Sequence, residues 1–374
     1  MTATAIDIPL LTLKGQHAET GAEVKAAVAR VLDSGVFILG PENKAFDAEF
    51  AQAIGAKHCL GVDSGTSALE LALEASGVGP GDEVIVPSFT FIATATAVSV
   101  LGATPIFADV DPTTLTLDPR SVGKALTPRT KALIAVHIFG QPADMDPLIA
   151  LAKSKNISVI EDCAQSHLAT YKGRTTGTLG SLAAFSFYPS KNLGAAGDAG
   201  AVTTNDGLLR ARVTELRNCG RSAEGGYHHV RIGHNCRLDE IQAAILRVKL
   251  RRLDGWTAVR RSIAALYCEG LSGLPLQLPP IGSGDSSPVF HLYTVCCERR
   301  DALAEHLRLK GIGTGVYYPT PLHLQPAYAG LGVKAGALPV SERASREALS
   351  LPMYAELSAA DAGRVVEAVR LFFR

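Results

Sequence analysis

The sequence predicts an α/β protein, with a large unit on a mostly parallel sheet followed by a smaller α+β unit. Three observations carry this. From about residue 57 to 206, short β-rich runs alternate with helical runs, the pattern of βαβ units covered on both faces. Gly77 and Gly102 stand just after helical runs, where a left-handed stop is expected. Past residue 270 the alternation yields to a proline-, glycine- and serine-rich loop and then a shorter mixed segment.

In order, 57–62 reads as a strand and 67–76 as a helix closed by Gly77. Gly-Asp-Glu then leads into strand 84–86. Residues 90–101 read as a helix closed by Gly102, followed by strand 105–108. Strand 131–137, helix 145–155 and strand 158–161 complete the alternating region. Runs 182–188 and 199–204 are joined by a glycine-rich link too short for a helical crossover, which predicts an antiparallel pair. Residues 206–218 read as a helix. One long helix is expected from 238 past 265, with Trp256 near its middle, and 270–287 as loop. The unit boundary falls near residue 248, giving 1–248 and 249–374.

Composition narrows the function. The chain has 374 residues, enough for two units at about 100–200 residues each. Apolar residues make up 47% and charged residues 19%, which excludes a disordered chain. Lys plus Arg and Asp plus Glu are 36 each, so no net charge favours nucleic acid or an anionic membrane. Arg251, Arg252, Arg260 and Arg261 form the densest basic patch and read as a solvated helix face. The seven cysteines are odd in number and contain no C-x-x-C pair, which argues against a disulfide framework and a zinc site. Most of them read as small core residues, with Cys296 and Cys297 pointing to opposite faces. MTATAIDIPL lacks the basic and apolar regions of a signal peptide, and the stretch 89–110 is too interrupted to span a bilayer. A cytoplasmic protein is expected.

Four features can carry chemistry. Asp63-Ser64-Gly65-Thr66-Ser67 lies between a strand and a helix, where free N–H groups suit a phosphate, although an ordinary helix cap has the same look. Glu161-Asp162 ends an apolar run, where open α/β sheets place ligand-binding groups, or a loop cap. Lys191 follows the aromatic strand Phe185-Ser186-Phe187-Tyr188 and could be only a turn residue. Asn235, in Gly233-His234-Asn235-Cys236-Arg237-Leu238-Asp239-Glu240, could be a helix cap. Their order resolves the ambiguity. A phosphate cup, a sheet-end aspartate and a lysine 29 residues later fit pyridoxal 5'-phosphate. The aldehyde needs a primary amine, and the ring nitrogen needs an anion to stay protonated.

The chain resembles the nucleotide-sugar aminotransferases of the DegT/DnrJ/EryC1/StrS family nearly end to end, from Gly35-Val36-Phe37-Ile38-Leu39-Gly40-Pro41 to Leu351-Pro352. The landmarks are DSGTSALELAL (63–73), PSFTFIATATAV (87–98), GQPADMD (140–146), EDCAQSH (161–167), FSFYPSKNLGAAGDAGAV (185–202), HNCRLDEIQAA (234–244) and YYPTPLHLQPAY (317–328). The resemblance implies the aspartate aminotransferase fold, which is pyridoxal-phosphate fold type I. It also implies Lys191 as the Schiff-base lysine and proton shuttle, with Asp162 paired to the pyridine nitrogen. Gln165 would lie near the ring's phenolic oxygen, and Phe91 would stack on the ring; core packing is the plainer reading of Phe91. Gly65, Thr66 and Ser186 would bind phosphate. Asn235 would reach the phosphate across the interface of a homodimer with shared active sites. Tyr188, Tyr317, Tyr318 and His323 belong to segments that line the sugar-nucleotide side in relatives.

Four positions depart from the family pattern. Tyr317 replaces the histidine of H-Y-P, a position that approaches the sugar. Ala199, Cys163 and Cys236 replace a glycine, an alanine and a serine. None removes a group of the cofactor chemistry, and the lysine excludes the dehydratase branch. FYPSKNLGA and RLDEIQAAILRVKL resemble enzymes acting at C-3 of dTDP-linked 3-keto-6-deoxyhexoses, with L-glutamate as amino donor. The alternatives are C-4 amination of a 4-keto sugar, or a UDP-linked 3-keto-uronate acceptor. A regulatory binding protein would be expected to lack the lysine or the aspartate. A dinucleotide-dependent oxidoreductase would need G-x-G-x-x-G after the first strand, which is missing.

Overall fold

The computed structural model describes residues 5–222, 225–282 and 285–374. Residues 1–4 of the N-terminal stretch and 283–284 of the expected loop lie outside the described residues. Two helices precede the alternating region, α1 (Lys14–Ser34) and α2 (Pro41–Ile54). They stop at Gly35 and Gly55, whose φ values of 65° and 75° are left-handed. The sequence pattern leaves α1 unassigned for a physical reason: it buries Gln16, Thr20, Gly21, Ala27 and Val31, which make no apolar stripe.

The large unit follows the predicted order. It runs β1 (His58–Val62), α3 (Gly65–Ala75), β2 (Glu83–Pro87), α4 (Ala93–Ser99), β3 (Thr104–Ala108), α5 (Pro119–Ala125), β4 (Thr130–Val136), α6 (Met145–Lys155) and β5 (Ser158–Asp162). A small hairpin, β6 (Thr170–Tyr171) and β7 (Arg174–Thr175), precedes β8 (Leu182–Ser186), β9 (Gly200–Thr204) and α7 (Gly207–Leu216). Seven strands form one sheet in the order β1-β9-β8-β5-β4-β2-β3. Strand β9 runs antiparallel to both β8 and β1, as the short link requires, and the other pairs are parallel. Side chains alternate between two cores: in β4, Ala132, Ile134 and Val136 enter one, and Leu133 and Ala135 the other. Burial of both faces explains the continuous apolar runs of these strands.

The long helix expected from 238 past 265 is two helices, α8 (Glu240–Leu250) and α9 (Leu253–Leu271). Both halves share one apolar period but serve different partners: α8 lies on α1 and α2, and α9 on α12 (Ala359–Phe372). The chain turns at Arg251-Arg252 without glycine or proline. Arg251 Nη1 donates back to Arg247 O (3.1 Å), and both arginines bind Glu23. Trp256 therefore sits near the start of α9, where its indole N–H donates to Glu19 (3.0 Å).

The solvated-face reading fails for Arg260 and Arg261. Arg260 is buried, and its Nη1 donates to the carbonyls of Phe290, His291 and Met353. Arg261 donates to Pro288 O and Ser287 O. These arginines fasten the segment before the smaller sheet to α9. Beyond α9 lie β10 (Ser286–Ser287), β11 (Tyr293–Cys296), α10 (Arg300–Leu309), α11 (Pro339–Glu347), β12 (Ala348–Leu351) and α12. Strands β11 and β12 pair antiparallel, whereas β10 joins β6. A separate core gathers Ile263, Tyr267, Tyr293, Leu307, Leu351 and Val369, and draws in Ile8 from the N-terminal segment. Cys296 enters the large unit's core and Cys297 this one, so the adjacent thiols part as expected. All seven cysteines are free; four are buried, and Cys219 is exposed. No helix of the described residues is long and apolar enough to cross a membrane.

Candidate active site

The carboxyl ends of β5 and β8, the start of α3 and the smaller unit enclose a cavity of about 460 Å³. Helix α3 begins in it. Ser64 caps the helix, its Oγ accepting the Ser67 N–H (3.0 Å), and Gly65 and Thr66 line the wall at the positive end of the helix dipole. Two glycines make this geometry possible. A Cβ on Gly65 would come within 2.6 Å of Ser186 Cβ, and one on Gly200 within 2.3 Å of Ser64 O. Ser186, the last residue of β8, faces the same place. This is a cradle for a phosphate.

Asp162 ends β5 in the cavity. Thr94 Oγ1 donates to its Oδ2 (2.9 Å), and the Ala164 N–H donates to Oδ1 (3.1 Å). Burial pushes the Asp162 pKa up, and these hydrogen bonds and the Lys191 charge offset it only in part. Lys191 follows the turn after β8. Its backbone N–H donates to Tyr188 O (2.8 Å), and its amine has no hydrogen-bond partner among the described residues. Burial brings the Lys191 pKa down to about 8, with Asp162 opposing. Gln165 is held at both ends: Oε1 accepts the Phe139 N–H, and Nε2 donates to Tyr318 Oη (3.2 Å).

Phe91 and Tyr188 stand at the mouth. Phe91 is 54% exposed, which excludes core packing, and its ring lies 5.9 Å from that of Tyr318. Helix α4 starts only at Ala93, later than expected, after Thr90 and Phe91, which line the cavity wall. Tyr317 and Tyr318 line the wall beside Phe91.

Two expected residues are elsewhere. His323 is buried outside the cavity, with Nδ1 2.6 Å from Ser88 Oγ and Nε2 3.2 Å from Glu342. It pins its loop to the end of β2. Asn235 is exposed and bridges to Asn218, away from the cavity of its own chain.

Sequence reasoning missed Leu10, Leu11, Thr94, His137 and His291, all in the wall. Thr94 lies within the quoted run 87–98 without standing out, and Leu10 and Leu11 come from a segment with no motif. Glu161, paired with Asp162 in the sequence, points away from the cavity. Its carboxylate accepts the N–H groups of Gly177, Leu179 and Gly180 and faces His137 Nε2 (3.0 Å). Burial opposes the charge, but the His137 contact and the backbone donors win, and the Glu161 pKa falls. His137 Nδ1 accepts the Ala143 N–H (3.0 Å), so Nε2 carries the proton. Cys163 lies close enough to complete a potential ligand triad, but both His137 nitrogens and both Glu161 oxygens are already engaged.

A sheet-end aspartate, an amine with a lowered pKa and a phosphate cradle around one cavity define a pyridoxal-phosphate-dependent aminotransferase. The model of the DegT/DnrJ/EryC1/StrS aminotransferase family matches residues 18–370, and the chain belongs to that family. It is 51% identical over 97% of its length to the dTDP-3-amino-3,4,6-trideoxy-alpha-D-glucose transaminase of Streptomyces venezuelae, covering 95% of that protein. It is 47% identical over 98% of its length to the erythromycin biosynthesis sensory transduction protein EryC1 of Saccharopolyspora erythraea, covering 99% of it. The crystal structure of S. venezuelae DesV in complex with a ketimine intermediate superposes with a TM-score of 0.96 at 50% identity, each chain covered to 99%.

Proposed function

We propose that this protein transfers an amino group from L-glutamate to C-3 of a dTDP-linked 3-keto-6-deoxyhexose, in deoxyamino-sugar biosynthesis. The observation that carries the reading is Lys191, an amine without a hydrogen-bond partner among the described residues, facing Asp162 beside the start of α3. The 51% identity to a transaminase named for a 3-amino dTDP-sugar supports the choice of C-3.

Pyridoxal 5'-phosphate supplies, when bound, an aldehyde that takes up an amino group and a ring that withdraws electrons. The residues present fit it. Gly65, Thr66 and Ser186 would hold the phosphate, and Asp162, aimed by Thr94, would hold the proton of the ring nitrogen. Gln165 would sit beside the phenolic oxygen, and Phe91 would cover the ring. Lys191 would anchor the aldehyde, and its Nζ is the group that would hold and pass on the proton. Its pKa of about 8 leaves a usable fraction uncharged near neutral pH. Tyr188, Tyr317 and Tyr318 face the sugar nucleotide, and His323 anchors the segment that follows Tyr317 and Tyr318. Asn235 serves the cavity of a second copy in a homodimer, which accounts for its exposure here. The unit ending at 248 holds the cofactor, and 249–374 closes over it. Free thiols throughout favour the cytoplasm.

The test is a single turnover. Enzyme charged with L-glutamate and freed of it is offered a dTDP-linked 3-keto sugar, a dTDP-linked 4-keto sugar or a UDP-linked 3-keto-uronate separately, and the product is read by mass spectrometry and NMR. Amination of the 3-keto sugar alone is expected. Amination of the 4-keto sugar alone, or only of a UDP-linked 3-keto-uronate, would overturn the assignment.

A further inference from the structure

We propose that His167 is a positioning residue for Ser186: its Nε2–H stands in for a strand partner at the Ser186 carbonyl and so fixes the phosphate side of the cradle relative to Asp162. The inference rests on the reading of Ser186 as a phosphate ligand. Strand β8 runs further than its neighbour β5. The last pair between them is Asp162 with Ala184, and the Cys163 N–H then donates to Ala184 O (2.8 Å). On the other edge of β8, the Phe187 N–H donates to Ala199 O (2.7 Å), so Phe185 and Phe187 bond toward β9. The Ser186 carbonyl, between them, therefore turns to the same edge as that of Ala184. Strand β5 has ended there. His167 Nε2 lies 3.0 Å from that carbonyl oxygen and donates to it.

The surroundings commit the imidazole to this one contact. The acceptor is a carbonyl, so Nε2 carries the proton. Burial, with the Lys191 charge, brings the His167 pKa down to about 3, so the ring is neutral and Nδ1 holds only a lone pair. Nδ1 is buried and has no hydrogen-bond partner among the described residues. A buried imidazole with one nitrogen unpaired is costly, and the bond to Ser186 is the polar contact that offsets it. The ring lies 5.6 Å from those of both Phe185 and Phe187, which flank Ser186, and this packing holds it in place. Ser186 in turn has little slack. Its Oγ accepts the Tyr188 N–H (3.3 Å), and α3 starts so close that a Cβ on Gly65 would lie 3.1 Å from Ser186 Cα. A tilt of the Ser186 peptide would move Oγ across the cradle. His167 also ends the segment EDCAQSH, five residues after Asp162. One short loop, tied down by the Ser166 and Thr176 hydroxyls 3.0 Å apart, thus sets the anchors at both ends of the cofactor.

The test compares two probes that differ only in the phosphate. Pyridoxal 5'-phosphate and pyridoxal are titrated separately into the full chain freed of cofactor, and binding is followed by absorbance. His167→Phe keeps a ring against Phe185 and Phe187 and removes the donor, whereas His167→Gln places an amide N–H near Nε2. In His167→Phe the dissociation constant for pyridoxal 5'-phosphate is expected to rise about tenfold, with that for pyridoxal held. His167→Gln should return the ratio of the two constants to near the parent's. An unchanged ratio in His167→Phe would overturn the proposal, because a merely structural loss weakens both probes alike. A ratio displaced equally in both variants would also overturn it, since the N–H would then not be the cause. If His167→Phe does not fold, a displaced ratio in His167→Gln alone overturns the proposal, and a parental one upholds it. Ser186→Ala tests the underlying reading: an unchanged ratio there removes Ser186 from the phosphate and the proposal with it. A raised ratio there, with an unchanged one in His167→Phe, overturns the positioning role alone. The titrations need no sugar, so a wrong acceptor assignment leaves them standing.

Discussion

The two faces of the sheet at the end of β5 hold neighbouring carboxylates in opposite circumstances. On one face Glu161 meets four donors: three backbone N–H groups and the His137 imidazole. On the other, Asp162 has two and fronts a cavity. Both are buried, yet the Glu161 pKa falls and the Asp162 pKa rises. The number of donors, not depth, decides which carboxylate is structural and which is left with bonding capacity for a ligand. The cations repeat the contrast: Arg260 spends its guanidinium on three carbonyls, whereas the Lys191 amine has no hydrogen-bond partner among the described residues.

Substitutions can break this contrast. Lys191→Ala should cut transamination by at least about 10³-fold and abolish the cofactor's yellow colour, with thermal unfolding unimpaired. Retained turnover would remove Lys191 from the chemistry. Asp162→Asn should slow both half-reactions about 100-fold without loss of stability, measured by stopped-flow and thermal melts. Glu161→Gln should do the reverse, costing about 2–3 kcal/mol in urea unfolding while activity per folded molecule holds. If Glu161→Gln loses activity at full stability, the division between the faces is wrong. Thr94→Val, which removes one Asp162 donor, should cost about tenfold in kcat.

The smallest effect is a sign. In the cofactor-free protein, Glu161 stabilises the fold above the ordinary carboxylate range, and that contribution is lost as pH falls through its lowered pKa. Asp162, with its pKa raised, does the opposite: its contribution is present below its unfolded value and is lost as pH rises through the folded one. Urea unfolding across acid pH should therefore steepen in Asp162→Asn and flatten in Glu161→Gln. Equal slopes would show that the two carboxylates do not differ.

Much of this was legible in the sequence. Alternating runs and glycine stops place the sheet, and motif order assembles Gly65, Thr66, Asp162, Ser186 and Lys191 around one cavity. What escaped has physical reasons. Helix α1 buries polar and small residues, so it shows no stripe. The break at Arg251-Arg252 arises because one apolar period serves two separate packing partners, which no local residue announces. Arg260 looked like surface because residue type cannot reveal three waiting carbonyls. His323 fell in a motif segment, but its two nitrogens are spent on Ser88 and Glu342. Thr94 and His291 meet partners distant in sequence, Asp162 and Asn192, which spacing does not record.

Ile8 gives the molecule an order of assembly during synthesis. The seven-stranded sheet has all its strands once residue 204 has been made. Ile8 instead packs among residues as late as Val369 and bridges to Ile312. On the ribosome, the segment around Ile8 therefore has to wait for residues as late as Val369, on the order of ten seconds after the sheet is complete. Because Leu10 and Leu11 belong to the cavity wall, the pocket too is finished only once those late residues have been made. A nascent chain stalled before the last helix would carry a formed sheet and an unfinished catalytic chamber.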